Sequence, residues 1–478
     1  MLPRSCDSEG SHKGGSSEGS TVARGAAGKQ LGDSVNSLLQ GVTVLDFSEY
    51  IAGPYCGALL ADLGARVIKV EPPDGAEERR LGGAKRYRGN TRMSLAFNRG
   101  KEGLSVDLRQ QEGRDIIYAL VENIDVVVQN FVPGAAEKLG IDYDTLSGIN
   151  SKLIFLSSTA FGEVGPYRKR KGFDIIAHAA SGVMSNYADE EGAPRGPGGI
   201  PYIDLGTGML NALAIVSALY HRDKSGEGQK IETSLFSTGM ALQAMSMIQV
   251  DSLDAEQHAE EVRILRSAHR EGRKHTHIVD QFAQMRLRAD QPDTARPIEV
   301  PDCLHRPSDR QVYPYYRAYE TGDGYISIAA LNRSQRVKLC AALGISDPDV
   351  DKNLGEISDE IYLRQKAQMR VIEEHLKRES NLHWMRVLEA AGVPCGPVNY
   401  RSDLYTDPQA KELNLIWELE NRDLGKYKAS GHPIRFLKTP VLPGRGAPAL
   451  GQDTDTLLRQ FGYDGAEIAR LKAAGVVK

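Results

Sequence analysis

The chain has 478 residues, of which 41% are hydrophobic and 26% are charged. A single hydrophobic core rarely grows past about 250–300 residues, so this length indicates two or three domains. Lys and Arg number 59 and Asp and Glu 63, a net charge of −4, which leaves no basic field for nucleic acid or an anionic membrane. No uninterrupted apolar run approaches the ~18–20 residues that span a bilayer, so no membrane partner is expected.

The cysteines are scattered singly and form no Cys-x-x-Cys pair: Cys6, Cys56, Cys303, Cys340 and Cys395. This pattern argues against a disulfide framework and against a structural metal site, and it favours a reducing compartment. The N-terminus lacks the apolar core of a secretory signal. We therefore expect a cytoplasmic protein without a metal.

The chain opens with a Ser- and Gly-rich stretch, residues 1–38, which predicts a flexible tail because it buries too little apolar surface to offset its ordering entropy. Short β-branched runs then predict strands at 42–47, 66–71, 104–108, 125–130, 153–158 and 230–235. Helical patterns alternate with them, at 54–64, 112–123, 134–140, 174–185, 204–222 and 236–250. This alternation predicts an α/β fold with a mostly parallel, doubly wound sheet.

The stretch 251–307 changes character: it is charged and ends in Pro-rich sequence, which favours a solvated helix and a linker. After it, Gly322 and Gly324 interrupt two strand-like runs and predict a hairpin. Helical patterns follow to about residue 390, so 308–410 is predicted to be a smaller α+β domain. Strand-like sequence and an amphipathic helix fill 411–478.

Common nucleotide-binding and hydrolase signatures are missing. No Gly-x-Gly-x-x-Gly follows a strand and no Gly-x-x-x-x-Gly-Lys-[Ser/Thr] occurs, which disfavours a nicotinamide cofactor and a P-loop. Gly206-Thr207-Gly208 lies inside a helical pattern and predicts the close approach of a second helix. No His-Glu-x-x-His sequence is present, and no Gly-x-Ser-x-Gly elbow lies between a predicted strand and a predicted helix.

Loop motifs at predicted strand ends, where open α/β sheets bind ligands, remain as candidates. They are Ala52-Gly53-Pro54, Asn98-Arg99-Gly100-Lys101, Asn130-Phe131-Val132-Pro133-Gly134 and Gly162-Glu163-Val164-Gly165-Pro166. Glycine beside Arg and Lys lets backbone amides and cations converge on phosphate. The residues alone leave two interpretations open, a phosphate-rich ligand or an ordinary basic surface loop.

Taken in order, these and further motifs resemble the class III CoA-transferases, the family of formyl-CoA transferase and the carnitine CoA-transferases. The further motifs are Asp62 to Glu71, Gly172-Phe173-Asp174, Ile203 to Gly208, Gly226-Glu-Gly-Gln229, Gly392 to Pro397 and Leu450 to Asp455. The resemblance runs from about Leu39 to the C-terminus and leaves out the tail and 251–307.

The resemblance implies a large Rossmann-like domain at 39–250 that the segment 411–478 completes, and two chains threaded together as an interlocked homodimer. It also implies the chemistry: a carboxylate attacks an acyl-CoA to form a mixed anhydride and then an enzyme-bound CoA thioester. An organic acid finally takes up the CoA. A carboxylate suits these steps because it is ionised near neutral pH and its acyl derivatives are reactive.

The nucleophile of the family is an Asp within a pattern that this chain matches from Met184 to Pro194. Without gaps, that position falls on Glu191, and Ala188 stands where Gly is usual. Glu191 keeps the carboxylate but adds a methylene, which moves the reacting oxygen by over an ångström. Asp189 is the fallback nucleophile, with Glu190 as a further choice if the loop is rearranged. An inactive relative with an acidic loop tip is the alternative.

The resemblance assigns CoA binding to Arg80, Asn98, Arg99 and Lys101, close to the nucleotide phosphates. The acyl-CoA racemases of the same fold carry His where this chain has Phe173, which cannot move a proton, so a racemase is the second choice. A non-catalytic CoA-binding relative is the third. The insert 251–307 lies about where formyl-CoA transferase has a mobile glycine-rich loop, and we hypothesise that it supplies a different lid.

Overall fold

The computed structural model describes residues 37–81, 87–187, 189, 191–289, 314–350 and 359–478. The predicted tail up to residue 36, Cys6, Cys303, Ala188, Glu190 and the end of the predicted insert lie outside the described residues. The described part of the chain contains a parallel sheet, a smaller antiparallel sheet and a two-stranded hairpin.

The parallel sheet has six strands among the described residues: β1 (Thr43–Asp46), β2 (Arg66–Glu71), β3 (Glu102–Ser105), β4 (Val126–Gln129), β5 (Ile154–Thr159) and β6 (Gln229–Ser234). Their order in the sheet is β3-β2-β1-β4-β5-β6, and every neighbouring pair is parallel. This is the strand order of doubly wound dinucleotide-binding folds, in which the winding direction reverses between the first and fourth strands. The predicted fold class is confirmed.

Helices cover both faces of this sheet. They are α1 (Ala52–Asp62), α2 (Arg92–Phe97), α3 (Gln111–Val121), α4 (Ala135–Leu139), α5 (Tyr143–Ile149), α6 (Asp174–Ala180), α7 (Tyr202–Ser225) and α8 (Leu235–Ala241). Successive strand residues point to opposite faces, so Val44 packs with α1 and α7 while Leu45 packs with α3. Both faces are therefore buried, which explains why the strands are continuous apolar runs.

A charged insert and a smaller α+β region follow. The insert forms α9 (Asp251–Arg270) and α10 (His275–Ala289), and the next elements are β7 (Tyr316–Glu320), β8 (Tyr325–Ala329), α11 (Arg333–Leu343), α12 (Asp359–Leu376), α13 (Asn381–Ala390) and β9 (Cys395–Pro397). Strands β7, β8 and β9 form an antiparallel sheet with a hydrophobic core of its own.

The rest of the chain forms α14 (Pro408–Glu412), β10 (Ile416–Asn421), β11 (Gly425–Ser430), α15 (Thr454–Gln460) and α16 (Gly465–Ala473). Leu457 and Leu471 of the last two helices pack into the core of the large sheet. The segment before them covers the edge of that sheet, because Asp453 accepts the β3 amide of Gly103 at 2.8 Å and the Thr454 hydroxyl accepts that of Ser105 at 3.1 Å. The open edge of β3 is thus closed by side chains.

Two predicted elements differ from the structure. The helix predicted at 236–250 ends at Ala241, and the Met-rich stretch after it forms consecutive turns. The insert forms two helices packed on each other rather than one solvated helix, and Ile278 and Met285 of α10 are buried. In both places tertiary packing, which local propensity does not encode, decides the result.

Helix α7 is the one helix in the described part of the chain that is long and apolar enough to span a membrane by length and composition. Its best 18-residue window has a mean hydropathy of 1.4 and is 44% buried. The helix packs along α1 and against β5 and β6. On the side of α7 that faces α1, β5 and β6, packing in the protein core accounts for its apolar residues.

Gly208 is the point where α7 comes closest to α1. A Cβ at this position would lie 2.8 Å from the Ala52 carbonyl oxygen and 2.9 Å from the Tyr55 ring. The predicted close approach of a helix at this glycine is therefore confirmed.

Replacing Gly208 with Ala should destabilise the protein, because the added methyl forces the two helices apart at a cost of about 1–3 kcal/mol. Gly206→Ala is the matched control in the same helix, since its Cβ would meet only side-chain atoms, the nearest at 3.3 Å. That variant should be neutral or slightly stabilising through helix propensity. Urea unfolding at one protein concentration measures both, and equal losses in the two variants would contradict the packing argument.

Candidate active site

A cavity of about 280 Å³ opens at the carboxyl ends of the parallel strands. Its walls include Phe47 and Glu49 after β1, Val106 and Leu108 after β3, and Phe131 after β4. Strands β1 and β4 are neighbours at the point where the winding direction reverses, and open α/β sheets bind ligands there. The cavity is near the lower end of the size range for small-molecule sites, so it fits a nucleoside-sized group.

Two arginines stand at the cavity wall. Arg80 pairs with Asp74 at 2.7 Å and Glu77 at 3.1 Å, and Arg109 pairs with Asp107 at 2.8 Å. The Arg109 guanidinium holds the pKa of Asp107 down at about 2. Both guanidinium groups remain substantially exposed, with 46% and 76% of their side chains accessible. A phosphate group can therefore reach them.

Asn98, Arg99 and Lys101 are placed differently from the prediction. They are 1%, 3% and 0% exposed. The Lys101 ammonium donates to Asp46 at 2.6 Å, to the Pro54 carbonyl at 2.8 Å and to Asn98 Oδ1 at 2.9 Å, which uses all of its hydrogens.

Arg99 is committed in the same way. Its Nη2 and Nε pair with the Asp62 carboxylate at 2.6 Å and 3.2 Å, and its Nη1 donates to the Ala96 carbonyl. These partners argue against the predicted contact of Asn98, Arg99 and Lys101 with CoA phosphates. Of the four residues predicted to bind CoA, Arg80 alone lines the cavity.

The buried pair of Asp46 and Lys101 belongs to the interior of the parallel sheet. Asp46 ends β1 and Lys101 immediately precedes β3, so their ion pair ties two strands together. Burial alone would raise the pKa of Asp46, but Lys101 and Lys69 outweigh it and lower that pKa. Gly57 of α1 leaves the necessary room, because a Cβ there would lie 2.8 Å from the Asp46 carboxylate.

The loop that carries Glu191 is a tight turn built by Asp189. The Asp189 amide donates to the Ala193 carbonyl at 2.9 Å, and the Ala193 amide donates to the Asp189 carboxylate at 2.8 Å. Gly192 has a φ of +84°, a conformation that favours glycine. The fallback nucleophile is therefore occupied in shaping the turn.

Glu191 is exposed at the tip of this turn. Its carboxylate has no hydrogen-bond or ion-pair partner among the described residues, while its backbone carbonyl accepts a hydrogen bond from Lys274 of the insert at 3.1 Å. The two carboxylates thus differ: that of Asp189 accepts a hydrogen bond within the turn, and that of Glu191 does not. None of the residues in this loop lines the 280 Å³ cavity, so the loop and the cavity are separate parts of the site.

Phe173 and Asp174 stand at the start of α6, and Phe173 contacts Tyr50 beside the cavity. The rings of Tyr50 and Phe173 meet edge to face with centroids 5.1 Å apart, and Tyr50 directly follows the cavity residue Glu49. Asp174 accepts the amides of Ile203 and Asp204 at 3.0 Å each, and so it caps α7 from outside the helix.

A larger cavity of about 520 Å³ lies against the β10–β11 hairpin and the segment 444–452. Its lining mixes Arg422, Lys426 and Arg445 with Glu418 and Glu420, and none of the predicted site residues belongs to it. In the part of the chain that is described, no group of His, Cys, Asp and Glu is arranged to hold a metal ion.

Sequence reasoning missed Arg109 and Lys274. Arg109 follows strand β3 by four residues, and its place after a strand end was the signal that could have found it. Lys274 carries no such signal, because its position against the Glu191 loop depends on how α9 and α10 pack.

Replacing Lys101 with Met should destabilise the fold by about 3–5 kcal/mol, because it leaves the Asp46 carboxylate buried without its cation. Arg109→Met, which removes a cation from the cavity wall, should cost less than Lys101→Met, because the Arg109 side chain is 76% exposed and water can reach the Asp107 carboxylate once the arginine is gone. Urea unfolding measures both. A Lys101→Met variant of normal stability that had lost CoA affinity would restore the predicted phosphate contact.

Replacing Asp204 with Asn should change how stability depends on pH. Burial and then the Asp174 carboxylate raise the pKa of Asp204 from 3.8 to about 7. Between these values the folded protein holds a proton that the unfolded chain releases, so the free energy of unfolding falls as pH rises.

The Asn variant lacks this loss. The free energy of unfolding of the variant, minus that of the parent, should increase from pH 4 to pH 7 and then level off at about 1–3 kcal/mol. Urea unfolding at pH 5, 6, 7 and 8 measures it, with Asp223→Asn on the exposed side of the same helix as control. Parallel curves for the parent and the Asp204 variant would rule out the raised pKa.

The chain is similar over most of its length to several proteins named as CoA-transferases. It is 30% identical over 441 residues to human succinyl-CoA:glutarate CoA-transferase, covering 92% of this chain and 90% of the relative. It is also 30% identical over 439 residues to succinyl-CoA:mesaconate CoA-transferase of Haloarcula marismortui, covering 89% of this chain and 97% of that one.

A solved structure and a family model agree with these relatives. The crystal structure of a CaiB/BaiF family protein from Brucella suis matches with a TM-score of 0.66 and 28% identity, covering 89% of this chain and all of that one. The model of CoA-transferase family III matches residues 39–272 and 265–454. The chain is a member of CoA-transferase family III.

Proposed function

We propose that the protein transfers CoA from an acyl-CoA to an organic acid, with Glu191 as the nucleophile. The observation that carries this proposal is the placement of its carboxylate, exposed at the tip of a turn whose shape Asp189 maintains. A nucleophile has to reach the thioester carbon, and a carboxylate without a partner can do so without first breaking an ion pair.

The proposed reaction proceeds through two acyl derivatives of Glu191. A carboxylate oxygen attacks the thioester carbon of the acyl-CoA, the C–S bond breaks, and a mixed anhydride and CoA thiolate result. The thiolate attacks the Glu191 carbonyl carbon, which releases the donor acid as a carboxylate and leaves a glutamyl-CoA thioester. The acceptor carboxylate then attacks this thioester, the C–S bond breaks, and CoA thiolate and a new anhydride result. The thiolate attacks the acceptor's carbonyl carbon in that anhydride, which forms the product acyl-CoA and releases the Glu191 carboxylate. No net proton is consumed.

The separation of cavity and loop suits CoA, which carries a nucleotide at one end and its thiol at the other. We propose that the 280 Å³ cavity holds the nucleoside end, with Arg80 and Arg109 facing the phosphates. The pantetheine arm would then pass the Tyr50–Phe173 pair towards Glu191. Arginine suits this role because its planar group can form two hydrogen bonds to one phosphate.

A dicarboxylic acid is the proposed acyl group. The relatives named above act on succinyl-CoA together with glutarate or mesaconate, and each of these carries two carboxylates. The racemase alternative has no support at Phe173, whose ring contacts Tyr50 and offers no atom that exchanges a proton.

A homodimer is part of the proposal. Met209, Leu213 and Tyr220 form a stripe along α7, and they are 49%, 62% and 64% exposed in the single chain. Met245 and Leu253 beyond α8 are 88% and 77% exposed. Soluble monomers rarely expose apolar patches of this extent, so a second copy of the chain is expected to cover them.

The test is mass spectrometry of the protein after incubation with succinyl-CoA, with and without hydroxylamine. A CoA adduct, or a hydroxamate after trapping, should appear on the peptide that contains Glu191. Glu191→Gln should abolish it, because an amide is a far poorer nucleophile than a carboxylate.

Asp189→Asn is the matched control, since it keeps an oxygen that can accept the Ala193 amide. This variant should still form the adduct. An adduct that survives in Glu191→Gln and disappears in Asp189→Asn would move the nucleophile to Asp189. No adduct from several acyl-CoAs in protein that binds CoA would overturn the proposal in favour of a non-catalytic relative.

A further inference from the structure

The cavity of about 280 Å³ at the carboxyl ends of the strands is lined by five acidic residues as well as by Arg80 and Arg109. The acidic residues are Glu49, Glu71, Asp74, Glu77 and Asp107. The two arginines pair with three of them, and Arg79 forms two hydrogen bonds with Glu71 at 2.6 Å and 2.7 Å. Glu49 is the remaining one, and its carboxylate has no hydrogen-bond or ion-pair partner in the described part of the chain.

The backbone of Glu49 is nevertheless fixed on both sides. The Asn130 side chain, which follows β4, accepts the Glu49 amide at 2.8 Å and donates to the Glu49 carbonyl at 2.7 Å. The next residue, Tyr50, donates its amide to Glu78 at 3.3 Å. The Glu49 carboxylate is therefore held at the cavity wall before a ligand binds, and a preorganised group binds with a smaller loss of conformational entropy.

The surroundings of Glu49 determine which kind of group can approach it. Burial raises the pKa of the Glu49 carboxyl, the Glu78 carboxylate adds to this, and the Lys69 ammonium opposes it. Lys69 is itself fully buried and donates to the Ser48 carbonyl, so a ligand does not contact it. A phosphate beside Glu49 would be repelled by a partly desolvated carboxylate. Because an ionised carboxylate only accepts hydrogen bonds, this part of the wall suits an uncharged donor, a hydroxyl or an amine.

We propose that Glu49 binds the nucleoside of CoA by accepting a hydrogen bond from one of its uncharged donors, the ribose 2′-hydroxyl or the adenine amine. This inference rests on the proposed function, because it takes CoA as the ligand and its nucleoside end as the occupant of the cavity. The phosphates face Arg80 and Arg109, while Glu49 contacts the uncharged part of the same ligand. The positive and negative groups of the wall thus recognise different parts of CoA.

The carboxylate that usually binds ribose in a doubly wound fold is committed elsewhere in this chain. In dinucleotide-binding folds an acidic residue about 20 residues after the first turn hydrogen-bonds the ribose. Glu71, at the end of β2, holds the corresponding place, but it is buried and both of its oxygens bond to Arg79. Breaking that pair is costly. Glu49, three residues after β1, can accept a hydrogen bond without breaking an ion pair.

The sign of the effect separates this contact from simple repulsion. A hydrogen bond to a charged group changes affinity about 10- to 100-fold. If Glu49 accepts such a bond, removing its carboxylate weakens binding by that factor. If Glu49 only repels the phosphates, removing its carboxylate strengthens binding.

The experiment measures dissociation constants by isothermal titration calorimetry for CoA and for adenosine 3′,5′-bisphosphate, which represents the nucleoside end without pantetheine. Glu49→Leu should weaken the binding of both ligands about 10- to 100-fold. Glu49→Gln should lose less affinity, because its amide oxygen still accepts a hydrogen bond. Both variants should keep the parent's stability in urea unfolding, since the Glu49 carboxylate bonds to no other residue that the structure describes.

Glu137→Gln is the matched control, because it removes one exposed carboxylate two residues before the cavity residue Leu139 and does not line the cavity. It should bind both ligands as the parent does. Two analogues of the bisphosphate identify the donor: one lacks the 2′-hydroxyl, and the other carries hypoxanthine in place of adenine. The analogue that lacks the donor should bind the parent as weakly as it binds Glu49→Leu.

Three outcomes overturn the inference while the proposed function stands. The first is unchanged or tighter binding of both ligands by Glu49→Leu. The second is a loss confined to CoA, which would place the donor on pantetheine. The third is that the parent binds both analogues as tightly as the bisphosphate. If the parent binds no CoA, the proposed function fails and this inference fails with it.

Discussion

The buried ion pair between Asp46 and Lys101 is the interaction on which the catalytic edge of the sheet depends. Both side chains are fully buried, and removing two charges from water costs several kcal/mol each. The pair is sustained because every hydrogen of the ammonium has an acceptor and Ser48 donates to the Asp46 carboxylate. The end of β1 and the start of β3 are thereby fixed relative to the first turn of α1.

A second buried group of charges extends this support to the cavity. Lys69 donates to the Ser48 carbonyl and pairs with Glu78 at 3.5 Å, and Glu78 in turn accepts the Tyr50 amide at 3.3 Å. Tyr50 has a φ of +67°, which is unfavourable for a bulky side chain and persists only where surrounding contacts enforce it. The result is a Tyr50 ring directed at Phe173, so the strained residue joins the cavity wall to α6.

The sequence predicts the strands to within one or two residues at most ends because they are β-branched runs buried on both faces. At Asn98-Arg99-Gly100-Lys101 the phosphate contact stays a prediction, and the structure shows Arg99 and Lys101 in buried ion pairs that the local pattern did not indicate. The residue that indicates a buried ion pair is Asp46, because it lies in an apolar strand and a buried carboxylate requires a cation. Which of the many cations pairs with it, and where α10 meets Glu191, depends on tertiary packing that no local pattern records.

The division between buried and accessible charges also explains which cations suit ligand binding. Arg80 is paired with exposed acidic neighbours, and exposed pairs contribute at most about 1 kcal/mol, so a phosphate can replace those partners at little cost. The Arg109 side chain is itself 76% exposed, although that of its partner Asp107 is only 9% exposed. Breaking the ion pair of Lys101 or Arg99 with its buried carboxylate would cost several kcal/mol, and a single phosphate contact does not offset that cost. A transferase has to bind and release CoA in every cycle. Its phosphate-binding cations are therefore expected among the accessible arginines at the cavity wall, while the buried pairs hold the sheet and its helices together.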